Sequence, residues 1–257
     1  MIDLVFSYIK YLYKSKNEHG VHSPFLFNFV TKCLYDRGPK PDYKLLKSYR
    51  ERLLNNEQTI VVTDFGAGSR VFNSNVRAIN KIAQTAGITH KRAQLLYRVI
   101  HYFKPQNILE IGTSLGLATV ALSKGNTNAN ITTVEGCPAT AAVAFEQFQH
   151  FNLTNINTQV REFEAYFDQL EDSKFDLIYF DGNHQKDATL RYFNSLLKTV
   201  TNDSIWIFDD IHWSASMESA WEEIKKHPQV TVTMDTYQWG FVFFRKEQNK
   251  EHFTIRV

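Results

Sequence analysis

The sequence predicts an α/β fold in which a largely parallel β-sheet is covered by helices and preceded by a helical extension. Short, continuously apolar runs follow Pro105, as is typical of strands that are buried on both faces. Segments with apolar residues at helical spacing separate most of these runs, whereas helical spacing dominates before Pro105. This change of pattern predicts an N-terminal helical accessory region, residues 1–87, and a sheet-forming domain, residues 88–257.

The accessory region is predicted to contain several helices. Ser23 is a residue type that caps helix N-termini, and Pro24 is favoured at the first helical position. The apolar residues that follow recur at helical spacing up to Leu34. Further helices are predicted over residues 43–54, 76–86 and 91–103.

The sheet-forming domain is predicted from five apolar runs and a final hairpin. The runs are "NILEI", "ITTVE", "NTQVRE", "DLIYFD" and "SIWIFDD". A helix over "SASMESAWEEIKKH" then ends at Pro228. The segments "VTVTM" and "GFVFFR" follow across a short loop, which predicts an antiparallel hairpin at the edge of the sheet.

The two parts of the chain differ in charge, although the formal net charge is only +2. Up to Gln106 there are 17 Lys and Arg against 7 Asp and Glu, a net of +10, whereas the rest has 12 against 20, a net of −8. The basic part could meet RNA, dock against the acidic part or simply be solvated. We favour the interpretations that need no nucleic acid.

Cysteine content and hydropathy indicate the compartment. Cys33 and Cys137 are too few and too far apart for a disulfide framework or a zinc site, which fits a reducing compartment. No apolar run approaches the roughly 18 residues of a membrane span, and the N-terminus lacks signal-peptide features. We therefore expect a cytoplasmic protein with no membrane partner, and the composition leaves the oligomeric state open, a homodimer included.

Two glycine loops compete for a nucleotide. The first is "DFGAGSR", with Gly66 and Gly68, and the second follows "NILEI", with Gly112 and Gly116. A nucleotide loop in a parallel sheet is followed by a helix and then by a strand that ends in an acid for the ribose hydroxyls, about 20 residues on. Glu135 lies 19 residues after Gly116, whereas the stretch after Gly68 reads as helical. The second loop is therefore the predicted site, and the first is interpreted as a turn.

The positions of the glycines indicate the cofactor. A dinucleotide fingerprint would need glycines where Ser114 and Leu117 stand. The sequence instead has Glu110, Gly112 and Gly116, with an acid that would repel phosphate and could hold a cation. S-adenosylmethionine carries an ammonium and a sulfonium group and fits this requirement.

From about Ile88 to Arg245 the sequence resembles the class I S-adenosylmethionine-dependent methyltransferases, and more narrowly the catechol and caffeoyl-coenzyme A type O-methyltransferases. The resemblance is carried by "ITHKRAQLLYRVIHYFKPQNILEIGTSLGLATVALS", by Glu135, and by "DLIYFDGNH", "FDD" and the terminal hairpin. It implies a Rossmann-like seven-stranded sheet of order 3-2-1-4-5-7-6 with strand 7 antiparallel. Residues 1–87 carry no such resemblance.

The resemblance also implies which residues hold the cofactor. In this sequence they are Glu110, Gly112, Thr113, Ser114, Gly116, Glu135, Glu162 and Phe163. Glu135 corresponds to the acid that binds the ribose, and Glu162 and Phe163 fall where the family contacts adenine. Thr113 and Ser114 could alternatively cap the following helix.

Three aspartates form a candidate metal site. Asp181 follows the fourth predicted strand and Asp209 and Asp210 end the fifth, so all three are expected at the carboxyl edge of the sheet. Carboxylates suit Mg²⁺, and in the resembled enzymes an aspartate and an Asp-Asn pair bind that metal. Because Asp210 stands where the family has Asn, the metal and even its use are left open.

Two histidines are candidate bases. His184 lies three residues after Asp181, where the catechol-type enzymes have a lysine base, and Lys186 is a less well placed substitute. His212 follows the aspartate pair and is a candidate second base or metal ligand. The resulting catalytic set is His184, Asp181 and His212, acting on a small-molecule hydroxyl that attacks the activated methyl group.

Two other functions compete with this one. An RNA methyltransferase could use the basic N-terminal region for docking, although the sequence shows no RNA-binding signature beyond charge. A non-catalytic cofactor-binding protein could act through its helical part. The methyl acceptor itself is not readable from the sequence.

Overall fold

A computed structural model describes residues 2–63, 72 and 74–257, with no account of the side chains of residues 2–5. The predicted turn "DFGAGSR", with Gly66 and Gly68, lies outside the described residues. By internal contacts the chain divides into one unit of residues 36–168 and another of residues 1–35 with 169–257. Each unit is described separately below.

The helices and strands alternate along most of the chain. The helices are α1 (Ile2–Lys14), α2 (Pro24–Phe29), α3 (Tyr43–Leu54), α4 (Ile79–Thr85), α5 (His90–Phe103), α6 (Thr119–Gly125), α7 (Pro138–His150), α8 (Phe163–Phe167), α9 (Lys186–Leu196) and α10 (Ala215–Lys226). The strands are β1 (Thr59–Val61), β2 (Val76–Ala78), β3 (Asn107–Ile111), β4 (Asn130–Glu135), β5 (Ile156–Val160), β6 (Leu177–Phe180), β7 (Ile205–Asp209), β8 (Val232–Asp235), β9 (Trp239–Phe243) and β10 (Glu251–Thr254).

In the unit of residues 36–168, strands β3, β4 and β5 lie parallel with β4 in the middle. Ile131 of β4 is in register with Ile108 of β3 on one side and with Ile156 of β5 on the other. Strand β3 is buried along four of its five residues, as its continuous apolar run predicts. This order is the predicted 3-2-1 part of the sheet.

The predicted helix over residues 76–86 is wrong at its beginning. Residues Val76–Ala78 form strand β2, which pairs antiparallel with β1, and the helix begins only at Ile79. The amide of Ile79 donates to the carbonyl of Gln58, so pairing with a distant segment overrides the helical spacing. A strand therefore does follow the first glycine loop in the sequence, and this strand, β2, pairs antiparallel with β1.

In the unit of residues 1–35 and 169–257, five strands lie in the order β6-β7-β9-β8-β10. Strand β9 is antiparallel to both of its neighbours, β7 and β8, which confirms the predicted 4-5-7-6 part of the sheet. The predicted hairpin does not form the edge, because β10 pairs parallel with β8. Strand β10 is short and begins with two exposed residues, as edge strands often do, and it lacks the apolar run that marks a buried strand.

The helix ends follow the residues that the sequence places there. The Ser23 hydroxyl accepts the amide of Leu26, and Pro24 is the first residue of α2, as predicted. A π-helical turn over Val30–Leu34 continues α2. Helix α3 has the predicted bounds, and α10 buries Met217, Ala220, Trp221 and Ile224. No helix in the part of the chain that the structure describes is long and apolar enough to cross a membrane.

Candidate functional site

The loop between β3 and α6 has an unusual backbone. Gly112, Ser114 and Gly116 have φ angles of 99°, 49° and 78°, so every second residue lies in the left-handed region. The amide of Gly112 donates to the carbonyl of Val134 on β4 at 2.9 Å. Glycine suits this conformation because it has no Cβ to clash with the backbone. We refer to residues 112–116 as the glycine loop.

Gly116 is also required by packing. A Cβ atom at this position would lie 2.4 Å from the Tyr49 hydroxyl and 2.6 Å from a ring carbon of Phe148. Tyr49, on α3, is fully buried, and its hydroxyl donates to the carbonyl of Leu115 at 2.9 Å. Tyr49 thus supports the glycine loop, a role that the sequence did not predict.

Glu135 connects the glycine loop to the end of β4. Its Oε2 accepts the amide of Ser114 at 2.7 Å, and its Oε1 accepts the amide of Cys137 at 2.8 Å. Burial raises the pKa of Glu135, although these amide hydrogen bonds oppose the shift. Hydrogen bonds from the Thr140 hydroxyl and the Gly136 amide oppose the shift as well. The structure therefore brings together the glycine loop and the predicted ribose acid.

Glu110 and Thr113 belong to a buried hydrogen-bond network. The Glu110 side chain is inaccessible to solvent, and its Oε2 accepts the hydroxyls of Thr119 and Thr133, both at 2.6 Å. Since Thr133 donates to Glu110, the Thr113 hydroxyl donates to Thr133. Helix α6 begins at Thr119 with Ala118 as its N-cap residue, so neither Thr113 nor Ser114 caps it.

The electrostatic role predicted for Glu110 needs correction. Burial raises the pKa of Glu110 from 4.5 to about 8, despite the two hydroxyl hydrogen bonds. The carboxyl is therefore largely protonated at neutral pH, and it does not supply the negative charge that was expected to hold a cation. Its hydrogen bonds to Thr119 and Thr133 make it a residue that positions the loop.

We expect Glu110→Gln to remove a pH dependence of stability. With a pKa raised on folding, Glu110 binds its proton more tightly in the native state, so its contribution is complete below pH 4.5 and is lost as the pH rises towards 8. The wild type should lose about 2 kcal/mol of unfolding free energy relative to Glu110→Gln between pH 6 and pH 8. Urea unfolding across this range measures the difference. Glu57→Gln, at an exposed position, should follow the wild type; parallel curves for Glu110→Gln and wild type would contradict the prediction.

Glu162 and Phe163, the predicted adenine contacts, lie where β5 leads into α8. Glu162 is exposed and is the N-cap residue of α8, without a side-chain capping hydrogen bond. Phe163 is half-buried and begins the helix. Their role in binding stays a prediction.

In the other unit, the predicted metal ligands follow β6 and β7 but do not form a metal site. Asp209 is 3% exposed, its Oδ2 accepts the Tyr179 hydroxyl at 3.1 Å, and its Oδ1 accepts the amide of Asp210 at 2.8 Å. Asp210 has a φ of 52°, and its amide also donates to the carbonyl of Gln238. Within residues 2–63, 72 and 74–257, no three His, Cys, Asp or Glu residues form a group that could hold a metal ion. The residues therefore do not fit the predicted Mg²⁺ site.

His212 is neither an available base nor an available metal ligand, contrary to the prediction. Its Nδ1 lies 2.8 Å from Glu218 Oε1, and its Nε2 lies 2.8 Å from Asp235 Oδ2. Burial alone would lower the pKa of His212, but the two carboxylates outweigh it and raise the pKa. The ring also stacks on Tyr237 at a centroid distance of 5.1 Å. His212 thus serves as an ion-pairing residue between α10 and β8.

His184 is close to Asp181, as the sequence predicts. The His184 Nε2 lies 3.7 Å from Asp181 Oδ1, and both side chains are about one-fifth to one-quarter exposed, at 26% and 18%. Lys186, the alternative base, forms an ion pair with Glu223 and donates to the Ser219 hydroxyl at 3.0 Å. Of the candidate bases, His184 is therefore the one that the local geometry favours.

Comparison with known families identifies part of the chain. Residues 109–211 match the family described as a methyltransferase domain, and this range includes the glycine loop, Glu135, Asp181 and His184. No curated protein matches the sequence.

Solved methyltransferases share the fold. A methyltransferase from Podospora anserina with bound SAH is 16% identical, with 88% of this chain and 97% of that chain covered at a TM-score of 0.63. A putative O-methyltransferase from Klebsiella pneumoniae is 17% identical, with coverage of 81% and 92% at a TM-score of 0.56. An O-methyltransferase from Bacillus cereus in complex with SAH is 18% identical, with coverage of 84% and 94% at a TM-score of 0.53.

The family match and the structural neighbours both indicate a methyltransferase fold. The unit of residues 1–35 and 169–257 has one strand more than predicted, because β10 lies beyond β8. Residues 109–211 are therefore similar to a methyltransferase domain, and the chain shares the Rossmann-like fold of solved methyltransferases.

Proposed function

We propose that the protein is an S-adenosylmethionine-dependent O-methyltransferase that acts on a hydroxyl group of a small molecule. The observation that carries the proposal is the glycine loop, whose three left-handed residues are held by Glu135 at the end of β4. Two structural neighbours were solved with bound SAH, and several are described as O-methyltransferases, which supports this cofactor and this chemistry.

In this proposal the cofactor is bound by residues 36–168. Glu135 accepts the ribose hydroxyls from the end of β4, where its carboxylate also holds the amides of Ser114 and Cys137. The backbone of the glycine loop lies against the methionine part, because Gly112 and Gly116 carry no side chain that would keep a ligand away from it. Glu162 and Phe163 contact the adenine.

When bound, S-adenosylmethionine supplies an already activated methyl group, so the protein mainly orients the acceptor and excludes water. His184 accepts the proton of the acceptor hydroxyl at an imidazole nitrogen, and Asp181 stabilises the resulting imidazolium at the 3.7 Å separation seen in the structure. No step uses a metal, because the aspartates do not form a metal-ligand group. An RNA acceptor would rest on the basic N-terminal charge alone.

Calorimetric titration tests the cofactor and the metal in one series. We expect S-adenosylmethionine and SAH to bind with a Kd that Mg²⁺ and chelators leave unchanged. A panel of small hydroxylated acceptors, followed by label transfer from S-adenosylmethionine, then tests the reaction. Failure of both cofactor forms to bind would overturn the proposed function, and a Mg²⁺-dependent Kd would restore a metal site.

A further inference from the structure

The first helix presents an apolar face to solvent. Phe6, Ile9 and Tyr13 are 67%, 56% and 92% exposed. At about 100° per residue these three positions fall within an arc of about 60° on one side of α1. Contiguous exposed apolar groups of this kind mark surfaces that contact another molecule or a membrane. We call this group of three residues the outer face of α1.

The opposite side of α1 is packed against its own unit. Tyr11 is 5% exposed, and its hydroxyl donates to the carbonyl of Ile255 at 2.6 Å. Tyr8 packs edge-to-face on Tyr237 at 4.8 Å, and the Ser7 hydroxyl donates to Glu218. These contacts fix the orientation of α1. Because they lie on the side of the helix opposite to Phe6, Ile9 and Tyr13, the outer face points to solvent.

Cations border the outer face. Lys10 and Lys14 are exposed and each follows an outer-face residue, although both also line a pocket with Glu218 and Glu222. Lys16 and Arg256 are exposed beyond the C-terminal end of α1. The Arg256 guanidinium donates to the carbonyl of Leu12, which places it beside the last turn of the helix. Between Phe6 and Lys14 the helix has no acidic residue. The apolar face and its basic border together complement an anionic surface with an apolar interior.

We propose that the outer face of α1 docks the protein on an anionic lipid surface. Phe6, Ile9 and Tyr13 enter the boundary between headgroups and acyl chains, while Lys10 and Lys14 contact the anionic headgroups. A helix that lies along the surface needs no membrane-spanning length. The expectation of no membrane partner was based on the length of a span, and this proposal departs from it. This inference does not depend on the proposed function.

Vesicle flotation of the full-length protein tests the inference. We expect binding to phosphatidylcholine vesicles that contain phosphatidylglycerol, because lysines near an anionic membrane surface are attracted to it. Binding to pure phosphatidylcholine should be at least about tenfold weaker, and it should fall with added salt. The triple variant Phe6→Ser, Ile9→Ser, Tyr13→Ser should lose binding by at least about tenfold, because it removes the apolar contact.

A matched control separates this face from general surface hydrophobicity. Phe145 on α7 and Val160 on β5 are also exposed, at 52% and 50%, and the variant Phe145→Ser, Val160→Ser should bind as the wild type does. Circular dichroism confirms that each variant is folded. Equal vesicle binding by the triple variant and the wild type would overturn the inference. The inference would also be overturned if the wild type formed a dimer in sedimentation, did not bind vesicles, and lost the dimer in the triple variant. A second copy of the chain would then cover the outer face of α1.

Discussion

Gly116→Ala is expected to destabilise the protein by about 3 kcal/mol and to weaken cofactor binding strongly. Alanine at a φ of 78° costs about 1 kcal/mol in backbone strain. Its Cβ would also meet the Tyr49 hydroxyl at 2.4 Å and Phe148 at 2.6 Å, and overpacking of a tight core typically costs 1–3 kcal/mol. Since Tyr49 supports the loop through Leu115, the clash displaces the segment that is proposed to hold the cofactor.

Urea unfolding and SAH titration measure the two effects, and two variants serve as controls. Gly38→Ala places its Cβ 3.0 Å from an Asp36 oxygen without a left-handed φ, so it should change stability by less than about 1 kcal/mol. Combining Gly116→Ala with Tyr49→Phe removes the atom that is nearest to the new Cβ and should restore part of the loss. An unchanged unfolding free energy for Gly116→Ala would show that the glycine is not required by packing.

The sequence predicted the position of the glycine loop because local pattern determines it. A buried strand, a helix and a second strand that ends in Glu135 can be read from spacing, and neighbouring parallel strands bring Glu135 to Ser114. The close packing of Tyr49 on Gly116 could not be predicted from the sequence. Tyr49 lies 67 residues earlier, on α3, and the position of α3 against the loop depends on tertiary packing. The only available signal was the apolar side of that helix, where Leu46, Tyr49 and Leu53 are buried.

At the carboxyl edge of β6 and β7, the sequence predicted where residues lie along the chain but not which hydrogen bonds their side chains form. The sequence placed Asp209 correctly at the end of a strand but could not show that both of its oxygens accept hydrogen bonds, from Tyr179 and from the Asp210 amide. His212 was misread for a similar reason, because its partner Asp235 comes from β8, 23 residues later. Residue type and position in the sequence predict which strand end a residue follows. The hydrogen bonds of its side chain depend on partners that are distant in sequence.

Glu135→Ala is expected to weaken SAH binding by about a hundredfold, equivalent to about 2.7 kcal/mol. Hydrogen bonds to a charged group contribute about 1.5–3 kcal/mol each, and the carboxylate is proposed to accept from the ribose while it holds the amides of Ser114 and Cys137. Calorimetric titration of the variant with SAH measures the change in Kd. Glu57→Ala, at an exposed position, should bind as the wild type does.

Glu135→Gln distinguishes ligand binding by Glu135 from its support of the glycine loop. The amide side chain keeps one acceptor oxygen but turns an NH₂ group towards one of the two backbone amides, so some loss of stability is expected. If Glu135 acts only on the loop, the losses of affinity in the Gln and Ala variants should scale with their losses of unfolding free energy. We expect instead that Glu135→Ala loses more affinity than its change in stability explains, because the ribose contact exists only in the complex. Unchanged SAH affinity in a folded Glu135→Ala variant would remove the ribose from the proposed site.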